Sequence, residues 1–324
     1  MYSLIRNLLF LLDAESAHDF TTAQMRRLQE IPLVLALMER LCRAPRQPRR
    51  LWGLEFPTPV GIAAGFDKNA LLMPFLAALG FGFLEVGTVT LHAQSGNPKP
   101  RLFRDPVRRA LINRLGFNND GADAIAERLQ RCVRPVPVFV NIGKNRDVPP
   151  SDAPNAYAQC YLRVARWADA AVLNLSSPNT PGLRELQRPE HLVKVLDLVR
   201  AVREQMPFAR PILVKIAPDL DRAQIGEICD VCTRLADGMV CTNTTITPGG
   251  GLSGKPLFDR STEILRVVRE CVGPDFPLIG VGGIFTADDV RTKLAAGANL
   301  VQVYTSFIYE GPALAARLAR ELAS

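Results

Sequence analysis

The chain has no apolar run approaching 18 residues, so nothing in it reads as a membrane-spanning helix. It has no small-residue cleavage site near the N-terminus, which argues against a secretory signal. It has no zinc-finger spacing and no basic stretch interleaved with aromatics, so nucleic acid is not an expected partner despite a net charge of +7. Its seven cysteines, Cys42, Cys132, Cys160, Cys229, Cys232, Cys241 and Cys271, form no disulfide framework and suit a reducing compartment. Cys229-Asp230-Val231-Cys232 has the C-x-x-C form, but it lies in a helical pattern without a second pair. A helix-buried thiol pair fits it better than zinc or a redox centre, and no metal is expected.

What is present is a chain of 324 residues, 48% hydrophobic and 22% charged, ample for one large domain with additions. Residues 1–42 stand apart. Leu4, Ile5, Leu8, Leu9, Leu11 and Leu12 start an apolar helix; Ala17–Leu28 and Pro32–Cys42 read as two more, edged with Arg26 and Arg27. Such helices either cover their own domain's core or lie on a bilayer interface. Residues 43–58 hold a Pro/Arg linker and a short hairpin around Gly53.

From 59 to 324 the pattern alternates strand and helix. Eight strands are expected: Pro59–Phe66, Phe83–Thr90, Val136–Gly143, Ala170–Ser176, Ile212–Pro218, Gly238–Thr245, Pro277–Ile284 and Leu300–Phe307. Most are continuous apolar runs, as strands buried on both faces require. Helices are expected over Asn69–Leu79, Asp120–Arg131, Asn155–Trp167, Pro189–Gln205, Asp221–Leu235, Asp259–Cys271, Thr286–Ala296 and Ala313–Leu322. Eight such units give an α/β fold, a closed (β/α)₈ TIM barrel with an N-terminal helical extension. A doubly wound open sheet is disfavoured, because no G-x-G-x-x-G follows the first strand. Residues 91–119 form a long insertion placed to help build a site.

Polar residues and glycines collect at the strand C-terminal ends, where a barrel places its chemistry. The fourth end is Asn174-Leu175-Ser176-Ser177-Pro178-Asn179-Thr180-Pro181-Gly182-Leu183, with no Cys or His to serve as nucleophile or base. By itself it also reads as a turn that merely leaves the strand. Gly282-Gly283 before a helix, with Tyr304-Thr305-Ser306, matches a phosphate cradle. Asn141, Asn174, Asn179 and Asn243 converge on one mouth, suiting a flavin, a pyrimidine or both. Lys215 sits inside a buried strand, where a Schiff base, a charge beside an electron-rich ring and a structural ion pair are the three roles open to it.

Seven motifs together resemble one family. They are Ala64-Gly65-Phe66-Asp67-Lys68, Asn113-Arg114-Leu115-Gly116-Phe117-Asn118-Asn119, Asn141-Ile142-Gly143-Lys144-Asn145, Asn174 to Thr180, Lys215-Ile216-Ala217-Pro218-Asp219, Thr242-Asn243-Thr244-Thr245, and Gly250-Gly251-Leu252-Ser253-Gly254. Over its whole length the chain resembles the quinone-linked, class 2 dihydroorotate dehydrogenases of bacterial type. The resemblance implies one non-covalent FMN, oxidation of dihydroorotate to orotate in pyrimidine synthesis, and electron transfer to ubiquinone or menaquinone. It makes Ser177 the base for the C5 proton, with Thr180 as a candidate relay and Lys68 touching substrate and flavin. Ser177 also separates the chain from the soluble class 1 enzymes, which carry Cys there.

The resemblance puts Ala64, Gly65, Phe66, Asp67, Lys68, Thr88, Asn141, Asn174, Lys215, Thr242, Gly254, Gly283, Tyr304 and Thr305 around FMN. It puts Lys68, Asn113, Arg114, Leu115, Gly116, Phe117, Asn174, Asn179, Asn243 and Thr244 around the substrate, and His18, Arg104 and Tyr304 at the quinone site. Under it Lys215 becomes the cation that stabilises reduced flavin, and the Schiff base drops away. The N-terminal helices become a quinone tunnel in peripheral contact with an anionic membrane. The chain starts at its first helix with no transit peptide, so the expected location is the cytoplasmic side of a bacterial cell inner membrane.

One departure concerns Ile246-Thr247-Pro248-Gly249, shorter than the family's usual connection. Either the shortening changes the cover over the substrate or the numbering conceals a mobile loop. Two competing readings are a soluble FMN barrel dehydrogenase with a non-quinone acceptor, and a catalytically silent barrel that senses FMN or a nucleotide. The N-terminal extension counts against the first. Intact Lys68, Ser177 and Asn179 count against the second.

Overall fold

The computed structural model describes residues 2–324. Eight parallel strands close into a barrel: Val60–Ile62, Leu84–Val89, Val138–Ile142, Ala170–Asn174, Ile212–Ile216, Gly238–Cys241, Leu278–Val281 and Leu300–Val303. Every residue of these strands is buried. Helices pack outside them, and their apolar faces and the strands' outward side chains form one large core. Asp221 and Thr286 start two of those helices through capping boxes with Gln224 and Asp289, satisfying N–H groups that a helix start leaves open.

The expected hairpin forms from Arg49–Leu51 and Leu54–Phe56. It plugs the N-terminal end of the barrel. Phe56 is fully buried and packs edge-on to Phe83 and Phe139, while the Trp52 indole N–H donates to the Asp237 carbonyl at 2.8 Å. With that end filled, the barrel's open end is the one at the strand C-termini.

The strands are shorter than expected, and the differences shape the site. The eighth ends at Val303; Tyr304 turns the chain into a short helix, Thr305–Glu310, where a strand was expected to run to Phe307. The sixth ends at Cys241, and Thr245–Thr247 belongs to another sheet. The first helix after the barrel's first strand starts at Met73, not Asn69. The Asp67 carboxylate takes the Leu71 and Leu72 N–H groups at 2.8 Å each, and Ala70 sits at φ +55°, so this stretch is a folded loop.

The insertion carries two strands unforeseen in the sequence, Leu102–Asp105 and Ala110–Asn113. They join Gly250–Gly254 and Thr245–Thr247 in a four-stranded antiparallel sheet beside the barrel mouth. The short 246–249 connection is a tight hairpin that pairs Thr247 with Gly250.

The N-terminal helices are Tyr2–Leu9, Ala14–Gln29 and Pro32–Leu41. The first and third bury no residue, and Leu4, Leu8, Leu11, Leu33 and Leu41 stay exposed. Leu35 and Met38 pack against the barrel core, so core covering accounts for part of these apolar rows but not for the exposed leucines. Among the described residues, no helix is long and apolar enough to cross a membrane.

Candidate active site

A cavity opens at the strand C-termini. Its wall carries most of the expected residues: Ala64, Gly65, Lys68, Thr88, Asn113, Leu115, Gly116, Phe117, Asn174, Ser177, Asn179, Lys215, Thr242, Asn243, Thr244, Gly254, Gly283, Tyr304 and Thr305. They come from the barrel and from the insertion, which is why no single stretch of sequence shows the site whole.

The floor is a continuous hydrogen-bond network. Asn243 Nδ2 donates to Asn174 Oδ1 at 3.1 Å, Asn174 Nδ2 to Asn141 Oδ1 at 3.1 Å, and Asn141 Nδ2 to Glu85 Oε1 at 2.5 Å. Thr88 Oγ1 donates to Asn141 Oδ1 at 2.6 Å. Glu85 also receives Lys215 Nζ at 3.2 Å and Gln302 Nε2 at 2.6 Å. Lys215 is thus in an ion pair, one of the roles open to it, while still lining the cavity.

At the rim, Asn179 Nδ2 donates to Asn113 Oδ1 at 3.1 Å, linking the Ser177 loop to the insertion. Ser177 is buried, and its Oγ accepts the Asn179 N–H at 3.2 Å. Arg184 holds this loop from behind. Its guanidinium donates to the Ser176 carbonyl at 2.9 Å, the Thr244 carbonyl at 2.9 Å and the Asp219 carboxylate at 2.6 Å. At the opposite wall, Gly282 and Gly283 adopt φ of +116° and +74°, and a Cβ on Gly283 would sit 2.5 Å from Phe258 Cα. Only glycine fits that turn, which brings backbone close to the cavity as a phosphate cradle requires. Beside it the Thr305 and Ser253 hydroxyls lie 2.8 Å apart.

Five expected ligand-site residues do not line this cavity. Phe66 packs edge-on to His18 at 5.3 Å and against Phe307 at 5.0 Å. Asp67 spends its carboxylate on the loop N–H groups described above; burial first of all raises its pKa, against those hydrogen bonds. Asn141 lies below the surface of the floor. Arg114 turns outward, donating to the Pro100 carbonyl at 3.0 Å with its guanidinium over Phe103. Thr180 is buried, but its carbonyl takes the Leu183 N–H and no hydrogen bond joins its hydroxyl to Ser177.

A second cavity lies between helix Ala14–Gln29 and the 66–72 loop, lined by His18, Asp19, Thr22, Arg26, Phe66, Asp67 and Lys68 among others. Lys68 and Asn118 are the two residues common to both cavities. Burial, then the Lys68 charge, pulls the His18 pKa down to about 3, so its imidazole stays neutral. Burial lowers the Lys68 pKa as well. Tyr304 lines the first cavity with its ring 6.3 Å from Phe66, and burial pushes its phenol up to about 12. Arg104 does not join His18. It donates to the Phe10 and Leu12 carbonyls at 3.0 and 2.9 Å and stacks over the Phe10 ring.

Glu85 and Gln302 were missed in the sequence. The available signal was polarity out of place: Glu85 is the one charged residue of buried Leu84–Val89, and Gln302 interrupts the otherwise apolar buried Leu300–Val303. Gln302 Oε1 is buried with no hydrogen-bond partner and belongs to the cavity wall. An orphaned acceptor, a lysine cation and a glycine cradle suit a planar phosphorylated ring system such as a flavin nucleotide.

A plugged (β/α)₈ barrel whose mouth combines an amide floor, a buried serine and a glycine turn is the architecture of a barrel enzyme with its site at the strand C-termini. The chain belongs to the dihydroorotate dehydrogenase family: the family model described as "Dihydroorotate dehydrogenase" matches residues 48–324. It is 47% identical over 345 residues to "Dihydroorotate dehydrogenase (quinone)" of Acidovorax sp. (strain JS42), covering 99% of this chain and 97% of that protein. It is 46% identical to the protein of that name from Alkalilimnicola ehrlichii, covering 100% and 99%. Among solved structures, Eimeria tenella DHODH in complex with ferulenol superposes with a TM-score of 0.89 at 36% identity, over 97% of this chain and 93% of that one.

Proposed function

We propose that this chain oxidises dihydroorotate to orotate with one bound FMN and passes the electrons to a membrane quinone, ubiquinone or menaquinone. The observation that carries the reading is the pair of cavities meeting at Lys68. One sits at the barrel mouth beside Ser177; the other lies against helix Ala14–Gln29. Two substrates that never meet need two separate sites that share a wall.

Lys215, Gln302, Thr242 and Thr88 would hold the flavin ring, and the Gly282-Gly283 turn with Thr305 its phosphate. When bound, FMN supplies the hydride acceptor and the electron store. The remaining work falls to the chain. Asn113, Asn179 and Asn243 orient the pyrimidine through its alternating donors and acceptors. Ser177 removes the C5 proton as its own hydroxyl proton passes outward to solvent; the Asn179 N–H donating to its oxygen favours the alkoxide character that a serine base needs. The sheet beside the mouth and the Arg184-held loop exclude water from this proton transfer.

The exposed leucines of Tyr2–Leu9 and Pro32–Leu41, with Arg26, Arg27, Arg40 and Arg43 nearby in sequence, suit peripheral contact with an anionic bilayer, on the cytoplasmic face of an inner membrane.

An anaerobic visible spectrum of the purified chain tests the reading. Flavin absorbance should bleach on adding dihydroorotate and return on adding a soluble quinone. The Ser177→Ala chain should keep its flavin spectrum and bleach at least 100-fold more slowly, on the scale of ~10²–10⁴ for a positioned base. Flavin that never bleaches refutes the substrate. Bleaching without recovery refutes the quinone.

A further inference from the structure

We propose that Glu85, which no expected site includes, is a positioning residue that sets both the hydrogen-bond direction and the charge of the cavity floor. The inference rests on the FMN reading above and adds to it a residue beneath the ring.

Glu85 is fully buried. An ionised carboxylate accepts hydrogen bonds and donates none. Asn141 must therefore turn its NH₂ toward Glu85, which it does at 2.5 Å. Its carbonyl oxygen must then face Thr88 and Asn174, and Asn174 must answer with its own NH₂. The Asn174 oxygen is left to accept from Asn243 Nδ2 at 3.1 Å and Ser176 Oγ at 3.1 Å, and the Asn243 oxygen accepts the Thr244 N–H at 2.8 Å. Every donor in this chain points toward Glu85. Amides alone would allow either direction; one terminal acceptor allows only this one.

The same constraint acts on Gln302. Its NH₂ goes to Glu85 Oε2 at 2.6 Å, so its unpartnered oxygen is presented to the cavity. The ligand must offer a donor there. Lys215 is tied to the carboxylate at 3.2 and 3.4 Å. The cation that meets the ligand is thus half of a buried pair, its field offset by the negative charge behind it.

The test uses the full-length chain loaded with FMN, its midpoint potential read by dye equilibration. Reduction adds electron density to the ring, and Glu85 opposes it. Glu85→Gln keeps the shape and removes the charge. It should favour reduced flavin at least tenfold, about 30 mV for a two-electron couple. Glu85→Asp keeps the charge and should stay within threefold of the parent potential. Gln302→Met should weaken FMN binding at least tenfold, read by fluorescence on release.

A Glu85→Gln potential equal to or below the parent's overturns the charge role. A Glu85→Asp shift as large as that of Glu85→Gln shows packing alone at work and overturns it too. Unchanged FMN affinity in Gln302→Met overturns the orienting role, even where a Glu85 variant fails to fold. A parent chain that holds no flavin refutes the FMN reading itself.

Discussion

Glu15 and Arg101 offer the sharpest energetic prediction. Their side chains are 9% and 7% exposed, and they meet through Arg101 Nη2 to Glu15 Oε1 at 2.8 Å and Arg101 Nε to Glu15 Oε2 at 3.1 Å. The other terminal nitrogen of Arg101 donates to the Ser95 and Asn97 carbonyls at 2.5 and 2.8 Å. The pair ties helix Ala14–Gln29, which bears His18, to the insertion beside the mouth. Glu15→Ala strands a buried guanidinium, and breaking a buried pair by one partner costs about 3–5 kcal/mol. The double variant Glu15→Leu/Arg101→Met strands no charge, so it should cost no more than either single change. Urea unfolding at neutral pH followed by circular dichroism measures all three. Burial raises the Glu15 pKa, but hydrogen bonds from Arg101 and Lys99 outweigh it, and the net shift is downward. A carboxylate with a lowered folded pKa adds stability that is present above its unfolded pKa, about 4.3, and is lost as pH falls through the folded value. The parent should therefore lose its advantage over Glu15→Gln below about pH 4. A Glu15→Ala loss under about 1 kcal/mol, or a double variant equal to the sum of the singles, refutes the reasoning.

Two further outcomes follow from other side chains. Arg184→Ala frees the Ser177 loop from Ser176, Asp219 and Thr244, and should slow flavin reduction by dihydroorotate on the order of 10²-fold with the resting flavin spectrum unchanged, measured by stopped flow; Arg184→Lys should not rescue it, because an ammonium lacks the fork. Lys293 is fully buried, donates to Ser261 Oγ at 2.5 Å, and burial drops its pKa to about 7. Between about pH 7 and about 10 the unfolded chain holds a proton that the folded one does not, so stability relative to Lys293→Met should rise over that window; urea midpoints at both ends check it.

The barrel was legible because its signals are local. Runs such as Ala170–Leu173 and Leu278–Val281 are apolar enough to be buried on both faces, and capping residues such as Asp221 mark helix starts. The insertion's sheet was not legible. Leu102–Asp105 pairs with Ala110–Asn113, which in turn pairs with Gly250–Gly254, more than a hundred residues away, and that glycine-rich strand shows no alternation. The tight hairpin at 246–249 likewise takes its shape from the strands it joins rather than from its own residues.

The motif Ala64-Gly65-Phe66-Asp67-Lys68 shows why composition at a strand end identifies a site better than it assigns roles. Five consecutive residues leave the barrel together, and a turn sends them in different directions. Ala64 and Gly65 face the mouth. Phe66 and Asp67 face the helices, one as a packed ring and one as the cap of its own loop. Lys68 reaches both cavities. Motif membership puts all five near ligand; only backbone geometry separates contact from support. Glu85 is the converse case. It lies outside the strand C-terminal ends, yet it takes Lys215 as its ion-pair partner and, through Asn141, orders amides that do line the cavity. A carboxylate alone in a buried parallel strand costs several kcal/mol unless its partners are built around it. Its presence in Leu84–Val89 therefore demands those partners, Lys215, Asn141 and Gln302.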